Sequence, residues 1–570
     1  MLVDSSRTEY AVLPTVLRAL EHCGIPFRSV DLSWQGLTDR LLHESAAVVM
    51  AQEHVASSIA GSDLSALIAA VQGGLGLVNL DFDLQNAPQA LAGALGVEGS
   101  GAAGSFPFGA LSGLGIRSSQ HYITGTKSTG ALTRTRTPLA YCGLKVARAG
   151  MDVLVESDDG APALVAGKLG RGRIVQWAVS PRLWLRQYLG WTQGLDDLFW
   201  KAIVWVARKP FTMKAMPPYV RMRFDDCNGY WREARDLAFL DHFNARGHRP
   251  NVSLNVRAVT PDAAAHISRL RASGRADFAA HTLDANTSVW FKRAHGPYTP
   301  AEMRSIAQEV DAAFLRWGIE PSRVLSDHEH EFGHTALPYL RARGIRYKMN
   351  VNLPDERAEG LHEDWRPAPY GSMSYAFDTQ PVSGMFVVFN HFSTFDHNRT
   401  YLEDGRRFFL NRTGGVGECK WDFLNGLTRS TTGRAGNDVE QAAQRLATHT
   451  ARGLDSLFFG GSITHSHFIR DLAPAEWDSL LDRVDQLISG RERRYASYDH
   501  IAAYAESKVN TVLDAADLEP TGGLACSLRG EATVPLELYC FSDRDEHTEH
   551  RFCEVPAFSG QQKTMLGTTF

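Results

Sequence analysis

An α/β protein in three parts is what this 570-residue sequence predicts, and three patterns carry the prediction. Strand-like and helix-like segments alternate through the first 210 residues or so, and again from about 219 to 515. The last fifty residues, including "ACSLRGEATVPLELYCFSD" and "HRFCEVPAF", alternate apolar and polar with period two and show no helical spacing. A chain of this length exceeds what one hydrophobic core serves. With 44% hydrophobic, 10% aromatic and 22% charged residues it is globular in composition rather than disordered.

The first part begins with "MLVD", a helix over 10–23, "PFRSVDL", the strand "AAVVMAQ", a helix near 62–72 and "GLGLVNLD". That βαβ order predicts a parallel sheet. It closes with "PALVAGKLGRGRIVQWAVS", two strands joined at a Gly-Arg-Gly turn, and an amphipathic helix over 195–207. The three prolines of "RKPFTMKAMPPYV" read as a linker, so a first domain is expected over 1–212. Glycine-rich residues 93–115 lack the Lys-Ser/Thr of a phosphate loop and are expected in a mobile surface loop. The stretches "LSALIAAVQGGLGLVNL" and "GKLGRGRIVQWAVSP" resemble the class I glutamine-amidotransferase-like (flavodoxin-like) domains. Catalysis in that family needs a cysteine on a glycine-flanked elbow, where this chain has "NLDFDLQN". The resemblance therefore implies a non-catalytic domain, structural or binding.

A formal charge of −5 offers no basic field for a polyanion, which argues against nucleic-acid partners. No run of about 18 apolar residues and no leader-like segment occurs, so a cytoplasmic protein without a membrane partner is expected. Seven cysteines, odd in number and without CxxC spacing, do not indicate disulfides. Cys227 stands beside two aspartates, yet buried free cysteines are common and inert.

Those aspartates end "YVRMRFDDCNGYW". Asp225-Asp226 is one of three Asp-Asp pairs, with Asp158-Asp159 and Asp196-Asp197, so adjacency alone says little. Its setting is different: an alternating strand stops on two carboxylates before an Asn-Gly turn, at the strand end where α/β proteins carry their sites. A helix "REARDLAFLDHFNARG", the strand "RPNVSLNV", a helix over 261–273 and the strand "ADFAAHTLDANTS" follow.

The order of "RFDDC", "SLNVRAV", "FAAHTLD", "YTPAEMRSIAQEVDAAFLRWGIEPSRVL" and "LFFGGSITHSHFIRDLAPAEWDSLLDRVDQL" resembles the polysaccharide deacetylase (chitooligosaccharide deacetylase homology) superfamily over roughly 219–510. The resemblance implies a (β/α) barrel over 213–517, while the strict alternation beyond it predicts a small C-terminal β-region over 518–570. It further implies a metal-dependent hydrolase that removes an N-acyl, acetyl-like group from an amino sugar or related amide. By the same resemblance Asp225 is the base, Asp226 and His281 are metal ligands, and His465 is the general acid. Zinc is the first expectation for the metal, with nickel, cobalt, iron or manganese as alternatives. The family's second ligand histidine is replaced by Ala285, and Asp284, another loop, or no metal at all would follow. "SDHEHEFGH" stands where the family carries an Arg-Pro-Pro-Tyr-Gly motif, so His328 or His330 is expected to complete the ligands, while the family's arginine partner for Asp225 is missing.

The same loop spells His330-Glu331-Phe332-Gly333-His334, a formal HExxH that raises a zincin-like protease as a rival. Gly333 and Pro338 interrupt the helix such a motif needs. His465 and His467 alternate onto one side of their strand, which makes His467 a ligand, neighbouring or substrate-binding candidate. Trp290 and His391 are candidates for binding a sugar, against core packing and a solvated loop as the plainer uses. The expected partner is a small-molecule or oligosaccharide substrate, with a homo-oligomer possible. A non-catalytic carbohydrate-binding or scaffold protein, and a protease or glycosidase using the histidine-rich loop, remain as other classes.

Overall fold

Short aliphatic runs at Leu2–Val3, Val30–Asp31, Ala47–Met50 and Gly76–Asn79 are joined through connections too long for hairpins, and they pair in parallel. The computed structural model in which they are seen describes residues 1–9, 13–99, 109–185, 187–191, 193–227, 237–284, 287–292, 297–328, 333–351, 386–390, 406–408, 418–420, 439–465, 473–520, 523–545 and 547–566. Gly172–Trp177 adds a fifth parallel strand against Gly76–Asn79. Beyond it the sheet turns antiparallel through Pro162–Leu169, Asp152–Ser157, Gly109–Ile116 and Leu132–Tyr141. The result is a nine-stranded mixed sheet, not the parallel one expected. A physical cause is visible at Gly170-Arg171, where Gly170 takes φ +60° and closes a two-residue hairpin between Leu169 and Gly172.

Two loop expectations are corrected. Within the glycine-rich stretch, Gly109–Ile116 is a strand, because Leu111, Leu114 and Ile116 are buried there. Within the proline-bearing linker, Phe211–Met213 pairs with Leu536–Arg544, and Met213, Ala215 and Met216 are buried. The alternating C-terminal residues form two three-stranded sheets. Thr511–Leu518, Leu524–Ala532 and Phe558–Leu566 make one; Phe211–Met213, Leu536–Arg544 and His547–Val555 make the other. Residues 510–570 belong with 1–215 and 455–457 in one compact unit, while 216–454 and 458–509 make a second.

In the second unit Asp277–Asp284, Asn251–Asn255, Tyr219–Cys227 and Gly460–His465 lie parallel in that order. Helices Phe239–Ala245 and Pro261–Ala272 connect the first three in chain order, and Pro300–Trp317 leads on from Asp277–Asp284; it starts with a capping box in which Thr299 and Glu302 satisfy each other's backbone N–H groups. Period two decides the faces. Met222, Phe224, Val252, Leu254, Phe278 and Ala280 pack into one core with helix residues such as Leu240, Ile267 and Met303. Each fully buried aliphatic or aromatic side chain there contributes roughly 1.5–3 kcal/mol. Alternate positions, Arg221, Arg223, Asp225, Asn251, Ser253, Asn255 and Asp277, form a polar yet buried stripe on the opposite face.

Val324–Leu325, Tyr347–Val351 and Phe386–Asn390 make a further parallel sheet, tied to Asp277–Asp284 by the Ser322 N–H, which donates to Phe278 O at 2.6 Å. Among the described residues no ladder joins Phe386–Asn390 to Gly460–His465, so the strands establish a mixed α/β fold and not a closed barrel. No helix among the described residues is long and apolar enough to cross a membrane.

Candidate metal centre

In a regular strand Asp225 and Asp226 would point to opposite faces. The ladder is not regular: Arg223 and Phe224 face Asn251 and Val252, but the next pair is Cys227 with Leu254, so Tyr219–Cys227 holds one extra residue. Asp226 absorbs it at φ 56°, in the left-handed region that Asp tolerates better than most side chains. Phe224 and Cys227, three positions apart, therefore both enter the apolar core, and both carboxylates are left on the polar side.

Asp277–Asp284, on the other side of Asn251–Asn255, repeats the device. Ala280 pairs with Leu254 and Thr282 with Asn255, which leaves His281 as the extra residue. Ala280 and Leu283 both lie in the core, and His281, 3% exposed, lies outside it. Its Nε2 is 3.5 Å from Asp226 Oδ1.

Hydrogen bonds assign the proton of His281. Ser253 Oγ donates to Asp225 Oδ1 at 2.5 Å, and Ser326 Oγ donates to Ser253 Oγ at 2.6 Å. With its one proton committed, Ser326 Oγ can only accept at His281 Nδ1, 3.0 Å away, and the Ser326 carbonyl, 3.3 Å from the same nitrogen, can only accept as well. The proton thus sits on Nδ1 and the Nε2 lone pair faces Asp226. Burial pushes the imidazole down to about 3, with His328 and Arg223 adding to the effect and Asp225 opposing it, so the ring is the neutral form a metal requires.

His328 follows Val324–Leu325. Its ring centroid is 5.0 Å from that of His281 at an interplanar angle of 86°, and its Nδ1 lies 2.9 Å from Ser288 Oγ. One ligand atom each from Asp226, His281 and His328 lies within 4.8 Å of the others. Ligands about 2.1 Å from a tetrahedral zinc stand about 3.4 Å apart, so the Asp226–His281 spacing already suits one. Two imidazoles and a carboxylate also form the donor set of open, catalytic zinc sites.

Asp225 is held by a residue that motif reading passes over. Arg223 Nε donates to its Oδ1 at 2.5 Å, from a side chain 1% exposed, and another guanidinium nitrogen donates to Ser326 Oγ at 2.8 Å. Arg223 thus pairs with Asp225 from two positions upstream on the same strand. A signal was present: 221, 223 and 225 share parity, so the arginines of "VRMRFD" must share a face with Asp225. The same parity links Asn251, Ser253 and Asn255 in "NVSLNV".

Other candidates fall differently. Asp284 accepts from Arg257 at 2.5 Å and is not among the clustered ligands. Trp290 is 2% exposed, packs in the core and donates its ring N–H to Ala280 O at 3.3 Å, so it is no platform for a sugar. His334 opens a 3-10 turn behind Gly333, whose ψ of 152° is extended; the α-helix that an HExxH site needs is broken inside the motif. His465 pairs by backbone with Asp225 at the end of Gly460–His465. His330, His467, His391 and Ala285 lie outside the described residues.

No protein-family model and no curated protein matches the chain. Among solved structures it is weakly similar to two cytoplasmic proteins of Salmonella typhimurium. One has TM-score 0.28 and 17% identity, covering 34% of this chain and 87% of the other; the second has TM-score 0.28 and 20% identity, covering 34% and 86%. It is also weakly similar to the chitin deacetylase of Colletotrichum lindemuthianum, with TM-score 0.26 and 12% identity over 50% of this chain and 89% of that one. The family 4 carbohydrate esterase of Streptomyces lividans matches at TM-score 0.24 and 13% identity, over 49% and 93%. Likenesses at these scores carry no argument about activity.

Proposed function

We propose that the second unit is a metal-dependent hydrolase that removes an N-acyl group from an amino sugar or a related amide. The observation that carries the reading is the meeting of Asp226, His281 and His328 within 4.8 Å, beside an Asp225 clamped by Arg223 and Ser253. Asp226, His281 and His328 would hold a divalent cation, zinc before nickel, cobalt, iron or manganese. When bound, such an ion polarises a carbonyl and makes water more acidic.

The chain's own groups supply the rest. Asp225 takes the proton of the attacking water, whose oxygen adds to the acyl carbon. Arg223 and Ser253, both donating to Oδ1, fix the carboxylate's position. As the C–N bond breaks, the amine receives a proton from His465, whose backbone lies beside Asp225. Two neighbouring acids take different roles because the bulge separates them: Asp225 is engaged by Arg223, and Asp226 faces the histidines.

Metal content by plasma mass spectrometry, with release of acetate from N-acetylated amino sugars, tests the proposal in wild type, Asp226→Ala and His281→Ala. Near-stoichiometric metal in the wild type, lost together with amide hydrolysis in both variants, is expected. A wild type that takes up no metal when supplied with it sinks the reading.

A further inference from the structure

On the polar face of Asn251–Asn255 two buried amide atoms lack a hydrogen-bond partner among the described residues, the acceptor Asn251 Oδ1 and the donor Asn255 Nδ2, and only the second stands at the carboxyl edge. Asn251 Nδ2 donates to Ser322 Oγ at 3.3 Å, and Ser253 lies between Asp225 and Ser326. Asn255, one step nearer the carboxyl edge, accepts from Thr282 Oγ1 at its Oδ1. Among the described residues its Nδ2 has no hydrogen-bond partner, although the residue is 1% exposed. A buried amide N–H2 left without an acceptor is costly, and in native proteins such groups are usually met by a partner, a water or a ligand.

The position says which. Val252, Leu254 and Val256 occupy the helix-packed core, so Asn255 is on the opposite face with Ser253. Its cross-strand partners are the two bulged strands: Leu254, its neighbour, pairs with Cys227 just after Asp226, and Asn255 itself pairs with Thr282 just after His281. Asn255 therefore stands between the carboxylate and the first histidine of the metal centre, with its amide oxygen fixed by Thr282 and its nitrogen still to be satisfied.

We infer that Asn255 Nδ2 is a ligand-binding donor that holds the oxygen of the acyl group, in the substrate and in the short carboxylate released from it. The inference rests on the hydrolase reading above. A donor oriented before the ligand arrives costs no rearrangement on binding, and a carboxylate or polarised carbonyl is the acceptor a metal centre would bring to it.

The test is acetate binding to the zinc-loaded, full-length protein, measured by calorimetry for wild type, Asn255→Leu and Asn255→Ala. Zinc affinity is measured alongside, because a merely structural role would move both constants. The expected result is a loss of acetate affinity on the order of tenfold, as for one hydrogen bond to a charged group, with the zinc Kd changed less than twofold. A second readout needs no variant: in protein labelled with 15N-asparagine, the Asn255 side-chain resonances should shift as acetate is added. Unchanged acetate affinity in both variants with zinc retained, or side-chain signals that stay put, overturns the assignment and leaves the hydrolase reading standing. A wild type that binds no zinc fails that reading, and this inference with it.

Discussion

Replacing Arg223 with methionine tests the clamp on Asp225 most directly. The two side chains are 1% and 9% exposed and meet at 2.5 Å, so neither charge is rescued by water when the other is removed. Taking charge centres about 4 Å apart at an effective dielectric near 20 gives about 4 kcal/mol, in line with the roughly 3–5 kcal/mol lost when one partner of a buried pair is deleted. Methionine keeps the length and the apolar stem, while Ser326 Oγ also loses the guanidinium donor at 2.8 Å. The expected destabilisation is therefore about 3–5 kcal/mol. Adding Asp225→Asn should recover about 2 kcal/mol or more, because the neutral amide still offers Oδ1 to Ser253 and no longer strands a charge. A two-unit chain has no single unfolding transition, so the proper assay is amide exchange of the segments 219–227 and 251–255, with metal removed by chelator. A loss under about 1 kcal/mol, or a double variant no better than the single one, would refute the argument that Arg223 neutralises Asp225.

Three further outcomes are expected. Zinc at about 100 times its Kd should stabilise the second unit by about 2.7 kcal/mol, and the gain should vanish in His281→Ala and His328→Ala; a His328→Ala protein that keeps the full gain would place the third ligand elsewhere. Asp499 is pushed up to about 6, first by burial and then by Asp277, so between about pH 4 and pH 6 the folded chain retains a proton the unfolded chain has lost, and this site's contribution to stability falls as pH rises. Asp499→Asn keeps an Oδ1 for Ser322 Oγ and the Arg323 N–H, and should flatten that slope and add up to about 3 kcal/mol at pH 7, read from stability curves of the two proteins between pH 4 and 7. Gly461 has φ +125° and its missing Cβ would fall 1.7 Å from Arg221 O, so Gly461→Ala should part Gly460–His465 from Tyr219–Cys227, and unchanged amide-exchange protection of 219–227 would contradict that pairing.

Much of the second unit was legible because its strands keep strict parity: "VRMRF" and "NVSLNV" show apolar and polar residues on alternate positions, and the core follows that alternation. What parity cannot show is where it changes. A bulge inserts a residue without altering the residue types on either side, so nothing in "RFDDC" or "FAAHTLD" marks Asp226 or His281 as the extra one. Arg223, Ser253 and Ser326 carry no motif signal for another reason: family motifs mark reacting groups and ligands rather than the groups that orient them. In the first unit, the glycine-rich composition of 93–115 predicts a loop, yet Leu111, Leu114 and Ile116 carry enough apolar surface for Gly109–Ile116 to join a sheet.

The two bulges also explain why core and site do not compete for the same residues. Were Tyr219–Cys227 regular, Asp226 would follow Phe224 into the apolar face beside Phe239, Phe243 and Trp477, where an unpaired carboxylate costs several kcal/mol. One extra residue puts Cys227 there instead and turns Asp226 toward His281, at the price of a left-handed backbone worth roughly 1–3 kcal/mol. His281, extra in its own strand, is spared burial against the helices by the same means. The hydrophobic requirement of the core and the ligand geometry of the metal centre therefore select the same backbone irregularity. Substitutions that straighten either strand should lose metal affinity and metal-free stability together, whereas changes at His328, on a separate segment, should lose metal affinity and leave the metal-free stability unchanged.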